Sequence, residues 1–199
     1  MKLVWKGKFK DVGDLPIGDL PEGAVMIGET ETAREIAKTI RISLIPVILF
    51  LLVVILIRIK IGGFFSLGNV INPWGVVLIP FAILPHEFLH AIVFPKCSEV
   101  EMWYSIKEMT AIVKTNSAIS KKRFIFLSIL PNIILGFLPL ILWIFIPNSM
   151  EFWGSILFTF GFIELIMGVS DFMNIYNSIK QVPSRAKIQV AGLNSYWYI

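Results

Sequence analysis

The sequence predicts an all-α membrane bundle of four transmembrane helices that carries a small cytoplasmic β-hairpin or sheet. Three observations lead there. Of the 199 residues, 56% are hydrophobic and the mean hydropathy is +0.76, where soluble domains hold about 45–50% apolar residues. Four apolar stretches, at about 40–59, 73–94, 124–146 and 152–179, are each long enough to cross a hydrocarbon layer of about 30 Å. Between the second and third stretch, apolar and polar residues alternate, which is the period of a half-buried strand.

The elements follow in chain order. Residues 1–31 form a polar arm, and 32–199 form one membrane domain. In the arm, Leu3, Val4, Trp5 and Phe9 suit a short strand, while the stretch through Asp14, Pro16, Gly18, Pro21 and Gly23 reads as loop. Thr32 and Glu35 make a capping box that starts a helix near Ala33. It runs into the first span, with Pro46 as a kink site and with Arg58 and Lys60 placed to snorkel at its end. A short loop over 62–68 follows. Asn72 caps the second span and Pro73 takes its first position. The 22 residues of 73–94 reach about 33 Å as a helix. Pro85 frees a backbone carbonyl one turn earlier, so a kink is expected beside His86.

Residues 98–116 predict a β-hairpin. Val100, Met102, Tyr104 and Ile106 alternate with polar neighbours, Lys107-Glu108 turns, and Thr110 to Lys114 returns. Ser120 begins the third helix, which Pro131 and Pro139 interrupt and Pro147 ends. Asn148 with Glu151 opens the fourth, and Pro183 closes it. The tail, 183–199, reads as a single short strand. The lone Cys97 rules out an internal disulfide, and the first forty residues hold no signal-peptide pattern.

Charge sets the orientation. The arm and first helix entry carry Lys2, Lys6, Lys8, Lys10, Arg34, Lys38 and Arg41, and the hairpin loop runs from Lys96 to Arg123 through Lys107, Lys114, Lys121 and Lys122. The tail adds Lys180, Arg185 and Lys187, whereas the two remaining loops hold only Arg58 and Lys60 between them. By the positive-inside rule both termini and the hairpin are cytoplasmic, in a multi-pass protein of the cell membrane. The net charge of +4 thus belongs to the bilayer surface and predicts no nucleic-acid partner.

The second span contains His86-Glu87-Phe88-Leu89-His90, with the only two histidines of the chain. Residues four apart share one helix face, so two imidazoles can hold one metal ion, usually zinc, while Glu87 reaches a water beside it as a base. Ionisable groups inside a membrane-length segment are costly and functional by default.

Depth selects the partners. Counted from Lys96, Arg123 and Lys180, residues His86, His90, Asn132 and Asp171 lie six to ten positions in, roughly 9–15 Å at 1.5 Å per residue. A catalytic zinc needs a third protein ligand, and Asp171 fits best, unless it is simply an interfacial aspartate facing water. Asn174 shares its face and either supports a ligand or substrate carbonyl or meets the headgroups. Asn132 either serves the same pocket or satisfies backbone freed by Pro131. Glu164, sixteen residues from Lys180, lies too deep unless the helix shifts, and it has no assigned role beyond pairing with a neighbouring helix.

His86-Glu87-Phe88-Leu89-His90-Ala91 on a membrane helix, then a hairpin, then Ser170-Asp171-Phe172-Met173-Asn174, resembles the putative zincin peptidases of bacterial membranes, a family of unknown function related in pattern to site-2 proteases. The resemblance runs from about Pro21 to the tail. It implies His86, His90 and Asp171 as zinc ligands and Glu87 as the general base. The expected function is therefore a membrane-embedded zinc metalloprotease acting on a membrane-associated peptide or protein. The alternatives are a non-hydrolytic metal-binding membrane protein with a regulatory or immunity role, and a transporter or structural protein whose polar residues line a path.

Overall fold

The computed structural model describes residues 1–10, 18–29, 32–62 and 70–199. The loop through Asp14 and Pro16 and nearly all of the 62–68 loop lie outside the described residues. The chain is mostly helical, and among the described residues three helices are long and apolar enough to cross a membrane: Ala33–Gly62, Lys121–Ile144 and Asn148–Met167. Helix α1 is the unbroken Ala33–Gly62, with Thr32 and Glu35 bonded reciprocally at its start.

The expected second span does not form one continuous helix. It divides at Leu78 into α2 (Pro73–Val77) and α3 (Ile79–Ala91). Pro80 has no N–H to return to Val76, so the ladder is interrupted there. Asn72 caps α2 as the sequence indicated, accepting from the Trp74 N–H at 3.0 Å.

The third stretch is also irregular. Helix α4 (Lys121–Pro131) passes into a π-helical turn, Asn132–Phe137, before α5 (Leu138–Ile144). Pro131 and Pro139 bracket that turn, each removing a donor from a regular ladder. The fourth stretch is two helices, α6 (Glu151–Met167) and α7 (Val169–Gln181), joined at Gly168.

The β content exceeds one hairpin and includes parts of the arm and tail. Strand β1 (Lys2–Lys8) runs parallel to β3 (Glu99–Ser105), which pairs antiparallel with β4 (Thr110–Lys114). A second sheet has the order β2 (Val25–Met26), β7 (Asn194–Tyr198), β6 (Lys187–Ala191), β5 (Ile119–Ser120). The tail is thus a hairpin, where a single strand was expected. Gly192, at φ 65°, supplies the left-handed residue its turn requires.

Two apolar clusters hold the molecule. One joins the sheets to the helix ends through Val100, Met102, Val113, Ile119, Phe124 and Ile188. The other lies within the bundle, around Val54, Leu140, Trp143, Phe158, Leu165 and Phe172. Arg58 does not snorkel as expected. It is 8% exposed and turns inward, its guanidinium donating to Ile144 O at 3.2 Å and Asn148 Oδ1 at 2.7 Å above the Trp143 ring. It thereby caps the Ile144 carbonyl at the end of α5.

Candidate metal centre

His86 and His90 stand one turn apart on α3 with ring centroids 5.0 Å apart. Both Nε2 atoms face α7. His86 Nε2 lies 3.3 Å from Asp171 Oδ2, and His90 Nε2 lies 3.5 Å from Asp171 Oδ1. Zinc–ligand bonds of about 2.0–2.1 Å in tetrahedral array set ligand atoms roughly 3.3–3.4 Å apart. The two separations match that edge, so these residues suit the ion the motif implies. The ligand atoms of His86, Glu87 and His90 also come within 4.8 Å of one another. Glu87 and Asp171 thus both stand close to the histidine pair, Asp171 with one oxygen toward each ring.

Asp171 reaches this point because the helix breaks. Gly168 separates α6 from α7, and Asp171 falls in the first turn of α7, its N–H bonded to Gly168 O at 3.0 Å. Only glycine fits there, since a Cβ on Gly168 would collide with Asn132 Oδ1. Asn132 is 2% exposed. Its Nδ2 donates to Asp171 Oδ2 at 2.9 Å and to Ser128 O at 3.2 Å. Asn132 thus orients a site carboxylate, as one of its two expected roles required; the carbonyl it satisfies is Ser128 O, whereas the carbonyl freed by Pro131 is Leu127 O, which His90 takes.

His90 is fixed from behind. Its Nδ1 lies 2.9 Å from Leu127 O. A carbonyl only accepts, so Nδ1 carries the proton and Nε2 keeps the lone pair toward Asp171. Leu127 O is available because the residue four later is Pro131, which has no N–H. The proline that irregularises α4 thus supplies the acceptor that orients His90.

Residues 78–187, more than half of the chain, match the model of a family described as "Putative zincin peptidase". The chain belongs to this family. The match opens at the Leu78 break, closes at the start of β6, and contains both histidines, Glu87, Asn132, Glu164 and Asp171. Membership implies zinc, and the His86–Glu87–His90 group can hold a metal ion. No curated protein and no solved structure matches the chain.

In this zincin-type site Glu87 borders two cavities. The larger, about 390 Å³, is lined by Glu87, His90, Ser170, Asp171 and Asn174, with β4 along one wall and Val190 and Ser195 of the second sheet, with Leu193 of the turn between them, along another. Asn174 thus faces the same space as the candidate base. The smaller, about 170 Å³, is lined by His86, Glu87, Met109, Glu164 and Ser170. Glu164 is the site residue that depth counting set aside. Its Oε2 lies 3.5 Å from His86 Nδ1, and it is 5% exposed. The count assumed one straight helix from Glu164 to Lys180, and the break at Gly168 voids it. The Leu127 carbonyl was also passed over, although Pro131 four positions on was a legible signal.

Proposed function

We propose that the protein is a membrane-embedded zinc metalloprotease that hydrolyses peptide bonds in or near the membrane, at its cytoplasmic side. The observation that carries this reading is the convergence of His86 Nε2, His90 Nε2 and the Asp171 carboxylate, at 3.3 and 3.5 Å, beside a glutamate that opens onto a substrate-sized cavity. His86, His90 and Asp171 are the ligands. A zinc ion held there supplies an acidified water and polarises a scissile carbonyl. Glu87 accepts the proton of the attacking water and returns it to the leaving amine. Asn174 has an amide donor for the substrate carbonyl, and Asn132 holds Asp171 in place.

Among the described residues, the order β1-β3-β4 leaves one edge of β4 unpaired, and Thr110, Ala111, Ile112 and Val113 line the cavity that holds Glu87. An extended substrate adds to that edge as a strand. The lipid bilayer is the other partner, and both termini face the cytoplasm with the basic residues. At the hairpin tip, Ile106 and Met109 line an apolar groove together with Pro80, Ile83 and Leu84. Ile106 and Met109 are 68% and 60% exposed, which suits contact with lipid.

The test is metal content and peptide hydrolysis of the detergent-purified chain. The expected result is about one zinc per chain, lost in His90→Ala and in Asp171→Ala. Glu87→Gln keeps the ion and loses hydrolysis by about 10²–10⁴-fold. A metal-free wild type ends the enzyme reading. Zinc retained without turnover, and biological function intact in Glu87→Gln, would establish the non-hydrolytic metal-binding alternative.

A further inference from the structure

We infer that Glu164 is a positioning residue of the metal centre: its carboxylate takes the Nδ1–H of His86 and so presents Nε2 of that ring to the ion. The inference rests on the ligand set proposed above. Three observations carry it.

The first is geometric. Glu164 Oε2 lies 3.5 Å from His86 Nδ1, while Asp171 Oδ2 lies 3.3 Å from His86 Nε2. The two nitrogens of an imidazole point away from each other, so the two acids sit on opposite edges of one ring. An ion bound at Nε2 has Asp171 in reach and Glu164 behind the ring. Glu164 is thus a partner of the ligand and not a fourth ligand.

The second is the setting of Glu164. It is buried in α6, one of the helices apolar enough to cross a membrane. A buried carboxylate in such a segment is costly unless it has a partner. Around the small cavity it shares with His86, the walls include Ile83, Met109, Ala111 and Met167. The hydroxyls of Thr110 and Ser170 also line it, but the contact made by the Glu164 carboxylate is with the His86 ring, at 3.5 Å.

The third is the parallel at the other histidine. His90 Nδ1 donates to Leu127 O at 2.9 Å. Both rings therefore have an acceptor facing Nδ1, at 2.9 Å for His90 and 3.5 Å for His86, and both turn Nε2 to the same carboxylate. Their holders differ in kind: a neutral carbonyl for His90, an acid for His86. An acid behind a histidine raises its strength as a ligand beyond what a carbonyl does.

The experiment is zinc titration of the metal-stripped full chain in detergent against a chromophoric chelator, for wild type, Glu164→Gln, Glu164→Leu and His90→Ala. Cobalt absorption and thermal midpoint of the metal-free form are read on the same samples. Glu164→Leu is expected to weaken zinc binding by about 10–100-fold. Glu164→Gln, which still accepts the Nδ1–H, should lie between it and wild type. The cobalt spectrum should keep its band pattern in both variants, and the metal-free midpoint of Glu164→Leu should be no lower than that of wild type.

Wild-type affinity in Glu164→Leu overturns the inference while leaving the site intact. So does a changed cobalt band pattern in both variants, which would make Glu164 a direct ligand. Unchanged affinity with a lowered midpoint overturns it in favour of a purely structural acid. A wild type that binds no zinc, or zinc retained at wild-type affinity in His90→Ala, removes the ligand set and this inference with it.

Discussion

Among the described residues, two buried polar groupings of the bundle are built on different principles. At the end away from the sheets, polar side chains mostly serve the backbone. Arg58 caps Ile144 O, Asn148 Nδ2 donates to Gly62 O, Asn72 caps α2, and Thr159 Oγ1 donates to Val70 O. Each closes a helix end or loop that would otherwise leave a carbonyl or amide unpaired in an apolar layer. Toward the sheets, side chains meet side chains. His86, His90, Asn132, Glu164 and Asp171 converge on one another, and their backbone contacts lie behind them. A polar group that finishes a helix is explained by the fold. A set of groups whose free lone pairs face one point is explained by something held there.

That contrast can be broken by exchange of effects. The largest expected change in stability is at the first grouping. Arg58→Met removes two hydrogen bonds from a charged group and leaves Ile144 O and Asn148 Oδ1 unpaired, a loss of about 3–5 kcal/mol. Zinc affinity should stay within about twofold of wild type, because the site has no contact with it; thermal unfolding and zinc titration on one sample check both. An Arg58→Met variant that lost zinc while still folded would merge the two groupings into one.

Gly168→Ala comes next. The added Cβ meets Asn132 Oδ1, and relief of that clash costs about 1–3 kcal/mol. Asn132 must leave Asp171, so zinc binding should weaken together with the thermal midpoint. The same change in both measurements distinguishes this position from Arg58.

Pro131→Ala should separate the two readouts in opposite directions. A restored N–H at 131 competes for Leu127 O and strengthens α4, since proline within a helix costs about 3 kcal/mol. His90 then shares its acceptor, and zinc affinity should fall by up to about 10-fold while the midpoint holds or rises. Unchanged affinity would show that the carbonyl does not orient His90.

The smallest effect is expected outside the helices. Burial raises the Glu101 carboxyl, but hydrogen bonds from Lys6 and Trp103 outweigh it and hold the group below its ordinary range. Its contribution is present above the unfolded carboxylate range and is lost as pH falls through the lowered folded value. Lys6→Met should therefore flatten the acid side of the stability profile slightly, with no change in zinc binding at neutral pH.

Much of this was legible in the chain. The histidine pair and its glutamate follow from spacing alone, and the level of Asp171 and Asn132 followed from counting residues inward from basic anchors. Counting brought Asp171 to the level of the histidines because α7 runs unbroken from Asp171 to its anchor Lys180. It failed where a break intervenes, as between Asp171 and Glu164. The helices at 73–94 and 152–179 read as continuous because apolar composition does not register a break at Leu78 or Gly168. The extra strands were hidden for another reason. β1 and β2 find partners in β3 and β7, nearly one hundred or more residues away, and local alternation carries no sign of a distant partner. Arg58 looked like an interfacial anchor because a sequence shows a cation near a helix end and not the carbonyls waiting beside it.

The order of the ligands along the chain has a consequence for biosynthesis. On the proposed set, His86 and His90 are made early and Asp171 comes only with α7, after α4, the π-helical turn, α5 and α6. A chain synthesised only as far as α6 carries both histidines and Glu87 but lacks Asp171. Asn132, which holds Asp171 in the folded chain, likewise precedes it in the sequence. The break at Gly168 thereby ties completion of the proposed ligand set to the last helix among the described residues.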